Sequence, residues 1–217
     1  MNFTIGDERL ALTLDRLVVA GWTGRNMEAV QHHIDELAAI GIAPPSAVPL
    51  YYRVSNGLMT QASGIDVLGP GTSGEVEPLL LRAGGVTYLG LASDHTDRDL
   101  ERHSVAASKQ ACAKPVAAEL WAFEEVEGHL EDIILRCFIE EDGREVLYQE
   151  GTIAGIRPFA ELCAGAGFED RTAMLCGTFA ALGGVRPASR YRMEMVDPVT
   201  GKTITLSYEV TTLPIIA

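Results

Sequence analysis

Two apolar runs meet at a glycine pair. Glu75 to Arg82 and Val86 to Leu91 are separated by Ala83-Gly84-Gly85, and a Gly-Gly turn between strand-like runs is a hairpin signal. Leu79-Leu80-Leu81 offers no polar face to water, so this strand is read as buried. Whatever else the chain folds into must cover that hairpin.

Most of the remaining pattern is also strand-like. Phe3-Thr4-Ile5, Leu10 to Leu14 and Leu17-Val18-Val19-Ala20 open the chain, ending at Gly21-Trp22-Thr23-Gly24. Further runs are Val48 to Val54, Gly64 to Leu68, Met174 to Gly177, and Tyr191 to Val196 with Thr203 to Val210 across the turn Asp197 to Gly201. A second hairpin is expected from Leu130–Glu140 and Glu145–Glu150 around Glu141-Asp142-Gly143-Arg144. Helices are few. One runs from Asn26, a suitable N-cap, to Gly41. Shorter ones follow Asp97 and span Pro115 to Glu125 and Pro158 to Ala164. Runs of strands with scattered helices indicate an α+β fold rather than regular βαβ alternation. Ala43-Pro44-Pro45-Ser46 divides the chain into a small N-terminal part, 1–45, and a main domain, 46–217.

Charge narrows the partners. Lys plus Arg is 17 against 30 for Asp plus Glu, a net charge of −13, which repels a phosphate backbone and argues against nucleic acid. No apolar stretch approaches the roughly 20 residues that span a bilayer, and Met1 to Glu8 lacks the basic start and apolar run of a signal peptide. The expectation is a soluble, cytoplasmic protein with no membrane partner. Cys112, Cys137, Cys163 and Cys176 form no CxxC, so they are expected as reduced core or near-core thiols.

Gly69-Pro70-Gly71-Thr72-Ser73-Gly74 matches GxGxxG literally. A dinucleotide fingerprint must open a helix, whereas here Glu75-Val76-Glu77-Pro78 re-enters a strand. The segment is a turn. Likewise Asp94-His95 and His103-Ser104 make no serine triad, since no G-x-S-x-G elbow exists.

Glu75-Val76-Glu77 is more informative. Residues i and i+2 of a strand face the same way, so both carboxylates project to one side, where a cation would relieve their repulsion. Counting outward from Gly84-Gly85 brings Asp94 to the same end. Three carboxylates with room for water suit Mg²⁺ or Mn²⁺ rather than zinc.

These residues carry a family resemblance. Glu75-Val76-Glu77 followed by Asp94-His95-Thr96-Asp97-Arg98-Asp99-Leu100 resembles the Glu-x-Glu strand and Asp-x-(Ser/Thr)-x-Arg-Asp-(Leu/Val) segment of the fumarylacetoacetate hydrolase superfamily. Val48-Pro49-Leu50-Tyr51-Tyr52-Arg53, Ser108-Lys109-Gln110, Tyr148-Gln149-Glu150-Gly151-Thr152 and the Met174–Gly183 loop resemble further motifs in the family's order, over roughly residues 20 to 185. Cys176-Gly177-Thr178-Phe179 departs from the family's Thr-Gly-Thr-Pro, and the Arg98–Lys109 segment is shorter than usual. The resemblance implies a mixed β-sandwich or barrel roll with a small N-terminal α/β appendage. It implies metal ligands Glu75, Glu77 and Asp94, a lysine at Lys109 reaching into the active site, and substrate contacts at Arg98, Glu101 and Thr178.

Gly24-Arg25-Asn26 resembles the family's entry to a lid carrying His-x-x-Glu. Two pairs qualify, His33–Glu36 and His32–Asp35. With Met27 at 0° and about 100° per residue, His33 falls at about 240°, bordering the apolar stripe, and His32 at about 140°, on the polar back. His33 with Glu36 is therefore the expected dyad.

The implied activity is metal-dependent hydrolysis of a carbon–carbon bond in a small 2-oxo or 1,3-dicarbonyl acid, passing through an enolate stabilised by Mg²⁺ or Mn²⁺. Decarboxylation, hydration or isomerisation on the same fold, and a binding protein without chemistry, are the alternatives. Relatives pair through the strand-rich domain, which with the apolar Leu213–Ala217 implies a homodimer.

Overall fold

The opening strands form a hairpin, β1 (Asn2–Ile5) and β2 (Glu8–Ala11), followed by β3 (Arg16–Gly21). Asn26 caps α1 (Met27–Ala39), its Oδ1 accepting the Glu28 and Ala29 amides at 3.0 and 3.2 Å. The computed structural model describes residues 1–39 and 44–216; the side chains of His33, Glu36, Leu37 and Ala39, and the expected helix stop at Gly41, lie outside the described residues.

β4 (Leu50–Val54), β5 (Met59–Thr60), β6 (Gly64–Leu68) and β7 (Thr72–Ser73) lead into the predicted hairpin, β8 (Val76–Ala83) and β9 (Val86–Ser93). After β10 (Thr96–Asp97), Asp97 caps α2 (Arg98–Glu101) and Ser104 caps α3 (Val105–Ala111). β11 (Lys114–Pro115), β12 (Trp121–Ala122) and α4 (Phe123–Val126) follow. The expected helix from Pro115 is thus confined to its last turn. The segment before it is held extended, with Ala117 N donating to Leu91 O, Leu120 N donating to Thr4 O and Trp121 paired with Leu89. The second hairpin is β13 (Ile134–Glu141) and β14 (Arg144–Thr152), turning at Asp142-Gly143. α5 (Phe159–Ala166), β15 (Thr172–Leu175), β16 (Arg190–Val196) and β17 (Thr203–Leu213) complete the chain.

Two sheets dominate, with strand orders β12-β9-β8-β15-β3-β4 and β14-β13-β16-β17-β6. Their facing sides enclose one core, including Val18, Leu80, Leu89 and Met174 from the first and Leu135, Met193, Ile204 and Leu206 from the second. The first sheet's outer face buries Leu17, Val19, Leu79, Leu81 and Leu175 under Phe3 and the Val116–Leu120 segment. Its central strands are therefore covered on both sides, which explains the unbroken apolar runs. This is the strand-dominated α+β sandwich expected. β3 lies between β15 and β4, so the stretch before residue 46 supplies an inner strand of the sheet. Among the described residues no helix is long and apolar enough to cross a membrane. All four thiols are free, three buried and Cys163 half-buried, and burial raises each pKa.

Candidate metal centre

The hairpin register builds the site. Val76 pairs with Ser93 and Glu77 with Ala92, and Asp94 N donates to Glu75 O at 3.0 Å. Glu75 and Glu77 leave β8 on the side that also carries Leu79 and Leu81, and Asp94 joins them from across the turn of register. One oxygen of each acid lies within 4.8 Å of the others. Glu77 and Asp94 are buried and Glu75 is half-buried.

Three basic side chains hold this cluster. Lys109, from α3, bonds Asp94 Oδ2. Lys114 is wholly buried; its Nζ lies 3.0 Å from Asp94 Oδ1 and donates to His95 O at 2.5 Å. Arg98 spans Glu75 at 3.1 Å, Glu101 at 3.0 Å and Ser73 Oγ at 2.7 Å. Glu77 instead accepts the Gly177 amide at 2.7 Å. Burial raises the Glu77 carboxyl well above its ordinary range, reinforced by the Asp94 charge. For Asp94 burial pushes the same way, but Lys109 and Lys114 outweigh it and hold the carboxyl below its ordinary range. An all-oxygen donor set that leaves Glu77 short of positive partners fits a hard divalent cation such as Mg²⁺ or Mn²⁺.

The loop after β15 is tied to this end of the hairpin. Gln149 Oε1 accepts the Val76 amide at 3.0 Å, and its Nε2 donates to Thr178 Oγ1 at 2.9 Å and Phe179 O at 2.7 Å. Thr178, expected to touch substrate, donates its hydroxyl to Val76 O at 2.7 Å and so braces the loop. Gly177 has φ 104°, and a Cβ there would lie 1.7 Å from Thr23 Oγ1. Thr23 belongs to the short link from β3 into α1, so the start of that helix adjoins the Glu77 side of the cluster.

Among the expected site residues, Glu75, Glu77, Asp94, Lys109, Arg98 and Glu101 therefore come together. His33 and Glu36 are on α1, with side chains outside the described residues, whereas His32 and Asp35 are exposed. Lys114 was not foreseen. A lysine between Ala113 and Pro115 has no periodic context, and its only signal is a charge in an otherwise uncharged stretch from Ala111 to Ala118.

His95 forms no triad. Its ring lies 3.0 Å from Tyr208 Oη and 2.8 Å from Thr72 Oγ1, and burial with the Lys114 charge pulls its pKa down to about 3. The GxGxxG stretch opens no helix, as expected, but it is a turn only in part: it bends at Gly69-Pro70 and then forms β7, which pairs with β10, and Gly74 is required where a Cβ would lie 2.1 Å from Tyr208 Oη. A cavity of about 350 Å³ lined by Arg25, Phe123, Ile153 and Phe159 lies elsewhere, with none of the three acids in its wall.

The fold has counterparts among solved structures. A 2-keto-3-deoxy-D-arabinonate dehydratase complexed with magnesium and 2,5-dioxopentanoate matches with TM-score 0.66 at 14% identity, covering 94% of this chain and 75% of that one. Maleylpyruvate hydrolase from Sphingobium sp. SYK-6 matches with TM-score 0.61 at 10% identity, covering 95% and 76%. A 4-oxalocrotonate decarboxylase from Pseudomonas putida G7, complexed with calcium and acetate, matches with TM-score 0.58 at 16% identity, covering 92% and 78%. The fold is that of the fumarylacetoacetate hydrolase superfamily. No curated protein matches the sequence. Residues 20–208 match the family described as "Protein of unknown function (DUF2848)", and the chain belongs to that family.

Proposed function

We propose that the protein is a divalent-metal-dependent enzyme that cleaves a carbon–carbon bond of a small 2-oxo or 1,3-dicarbonyl acid by hydrolysis. The observation that carries this reading is the convergence of Glu75, Glu77 and Asp94 beside Lys109, on a fold whose solved relatives include enzymes named for such acids.

Glu75, Glu77 and Asp94 would hold Mg²⁺ or Mn²⁺, which supplies Lewis acidity toward the carboxylate and adjacent oxo oxygen of such an acid. Lys109 places a positive charge where an enolate develops when the bond breaks. His33, with Glu36 the expected dyad, would take a proton from the water that adds to the distal carbonyl. Arg98 holds Glu75, and Glu101 holds Arg98, so both position the ligand set.

Enolisation tests this directly. The protein should exchange the C3 protons of pyruvate or oxaloacetate for deuterium, followed by NMR, only when Mg²⁺ or Mn²⁺ is present. Absence of metal-dependent exchange, together with absence of cleavage across a set of acylpyruvates, would replace the enzyme with a binding protein. A decarboxylase or hydratase is favoured instead if exchange is seen and Lys109 is needed while His33 is not.

We also propose that two copies pair. Leu68, Leu213, Ile215 and Ile216 are 60%, 42%, 69% and 85% exposed, and Leu68 pairs with Leu213 in the ladder of β6 and β17. Ile215 lies beside Gly69, next to Leu68, so exposed apolar side chains gather at this edge of the sheet, and such patches mark interaction surfaces. A monomer in light scattering at micromolar concentration would refute the dimer.

A further inference from the structure

The acids of the centre are almost neutralised before any ion arrives. Four carboxylates share the centre with three basic side chains: Glu75 and Glu101 contact Arg98, Asp94 contacts Lys109 and Lys114, and Glu77 lies beside them on the Gly177 amide. With all four acids ionised, as they would be around a cation, one negative charge remains for an ion carrying two positive ones. Lys114 decides this balance. Lys109 and Arg98 keep some contact with solvent, whereas Lys114 has none, and its ammonium is pinned between Asp94 Oδ1 and His95 O.

We propose that Lys114 is a fixed counter-charge that makes the divalent ion and a carboxylate-bearing ligand bind as a pair, each weakly alone and each strengthening the other. The inference rests on the metal reading above and adds what sets the metal's affinity. Asp94 shares its charge between two lysines and so attracts a dication less than a free carboxylate would. Once bound, the dication leaves one surplus positive charge in a buried site. An anion that reaches the ion removes that surplus, and linkage requires the ion to help the anion by the same factor. The ligand class favoured is therefore a 2-oxo acid or dicarboxylate able to place a carboxylate on the ion.

Mn²⁺ uptake by the whole protein, read by the loss of the free-ion EPR signal with and without oxalate, tests the coupling without any turnover. In the wild type oxalate should tighten Mn²⁺ by about tenfold or more, within the usual range of coupling between sites. Lys114→Met should tighten Mn²⁺ alone by about tenfold, since a nearby positive charge is removed, and should shrink the oxalate effect. Chelation by oxalate is common to both proteins, so the difference between them reads the fixed charge. Glu101→Gln, at a partly exposed position, should act in the opposite sense: weaker Mn²⁺ alone and a larger oxalate effect. It also serves if Lys114→Met does not fold. Equal Mn²⁺ affinity with and without oxalate in the wild type, or no shift in either variant, overturns the proposal while leaving the metal centre standing. If the wild type takes up no Mn²⁺ under either condition, the metal reading itself fails and this one with it.

Discussion

Val76 stands opposite Ser93 across the β8–β9 ladder. One pair further out, Glu75 O accepts the Asp94 amide, so the third acid meets the other two from the facing strand. A shift of one residue in that register would turn Asp94 to the opposite face of the sheet and dissolve the cluster.

The first prediction concerns the ligands. Glu75→Gln and Glu77→Gln should each remove the rise in melting temperature that millimolar Mg²⁺ or Mn²⁺ produces in the wild type, because an ion that binds only the folded chain stabilises it in proportion to its affinity. Asp94→Ala is a poorer probe. It strands Lys109 and Lys114 in a buried site, and losing one partner of a buried ion pair costs about 3–5 kcal/mol.

Gly177→Ala tests the loop. Its Cβ would overlap Thr23 Oγ1, and its φ of 104° is one that alanine resists. Urea unfolding should show a loss of about 2 kcal/mol or more, and Mn²⁺ affinity should fall with it, because Glu77 loses a well-placed amide. Unchanged metal binding in a destabilised variant would separate the loop from the centre.

Asp197 governs an acid-sensitive turn between β16 and β17. Buried, it accepts from Val199 N, Thr200 N and Thr200 Oγ1 and pairs with His129 Nε2 at 2.9 Å. Burial raises its pKa, but the Thr200 and His129 contacts prevail and bring it to about 2, from an ordinary 3.8. A depressed carboxyl stabilises the fold fully above its unfolded value, and that contribution is lost as pH falls from 3.8 toward 2. Chemical unfolding should therefore lose about 2 kcal/mol across that window, and Asp197→Asn should flatten this part of the profile.

The two histidine candidates on α1 separate by turnover once a substrate is found. His33→Ala should cost a hydrolase about 10²–10⁴-fold, the scale of a positioned general base, with Mn²⁺ affinity nearly unchanged. His32→Ala, at an exposed position, should stay within a fewfold of wild type. The reverse result would put Asp35 in the dyad in place of Glu36.

What could be read in advance was local. Gly84-Gly85 determines the hairpin and hence the Glu75, Glu77 and Asp94 meeting point, and Asn26 and Asp97 announce their helices by side-chain capping. The stretch after Pro115 misled because Val116, Leu120 and Phe123 have helix-like spacing, while the partners that hold it extended, Leu91 and Thr4, are distant in sequence. Lys114 was hidden for the same reason. Its burial is set by Asp94, on the far side of two helices, and nothing adjacent to it in the chain reports that pairing. The link between β3 and β15 was equally silent, since parallel neighbours share no turn.

That last pairing orders events during synthesis. Leu17 and Val19 align with Ala173 and Leu175, so an inner strand made at the beginning waits for a partner made near the end. Closing so long an interval is slow compared with forming either hairpin. The Gly177 amide that steadies Glu77 arrives only two residues after β15. On a ribosome the β8–β9 hairpin can therefore form early with its three acids together, but the loop that completes their surroundings cannot be in place until about four-fifths of the chain has emerged.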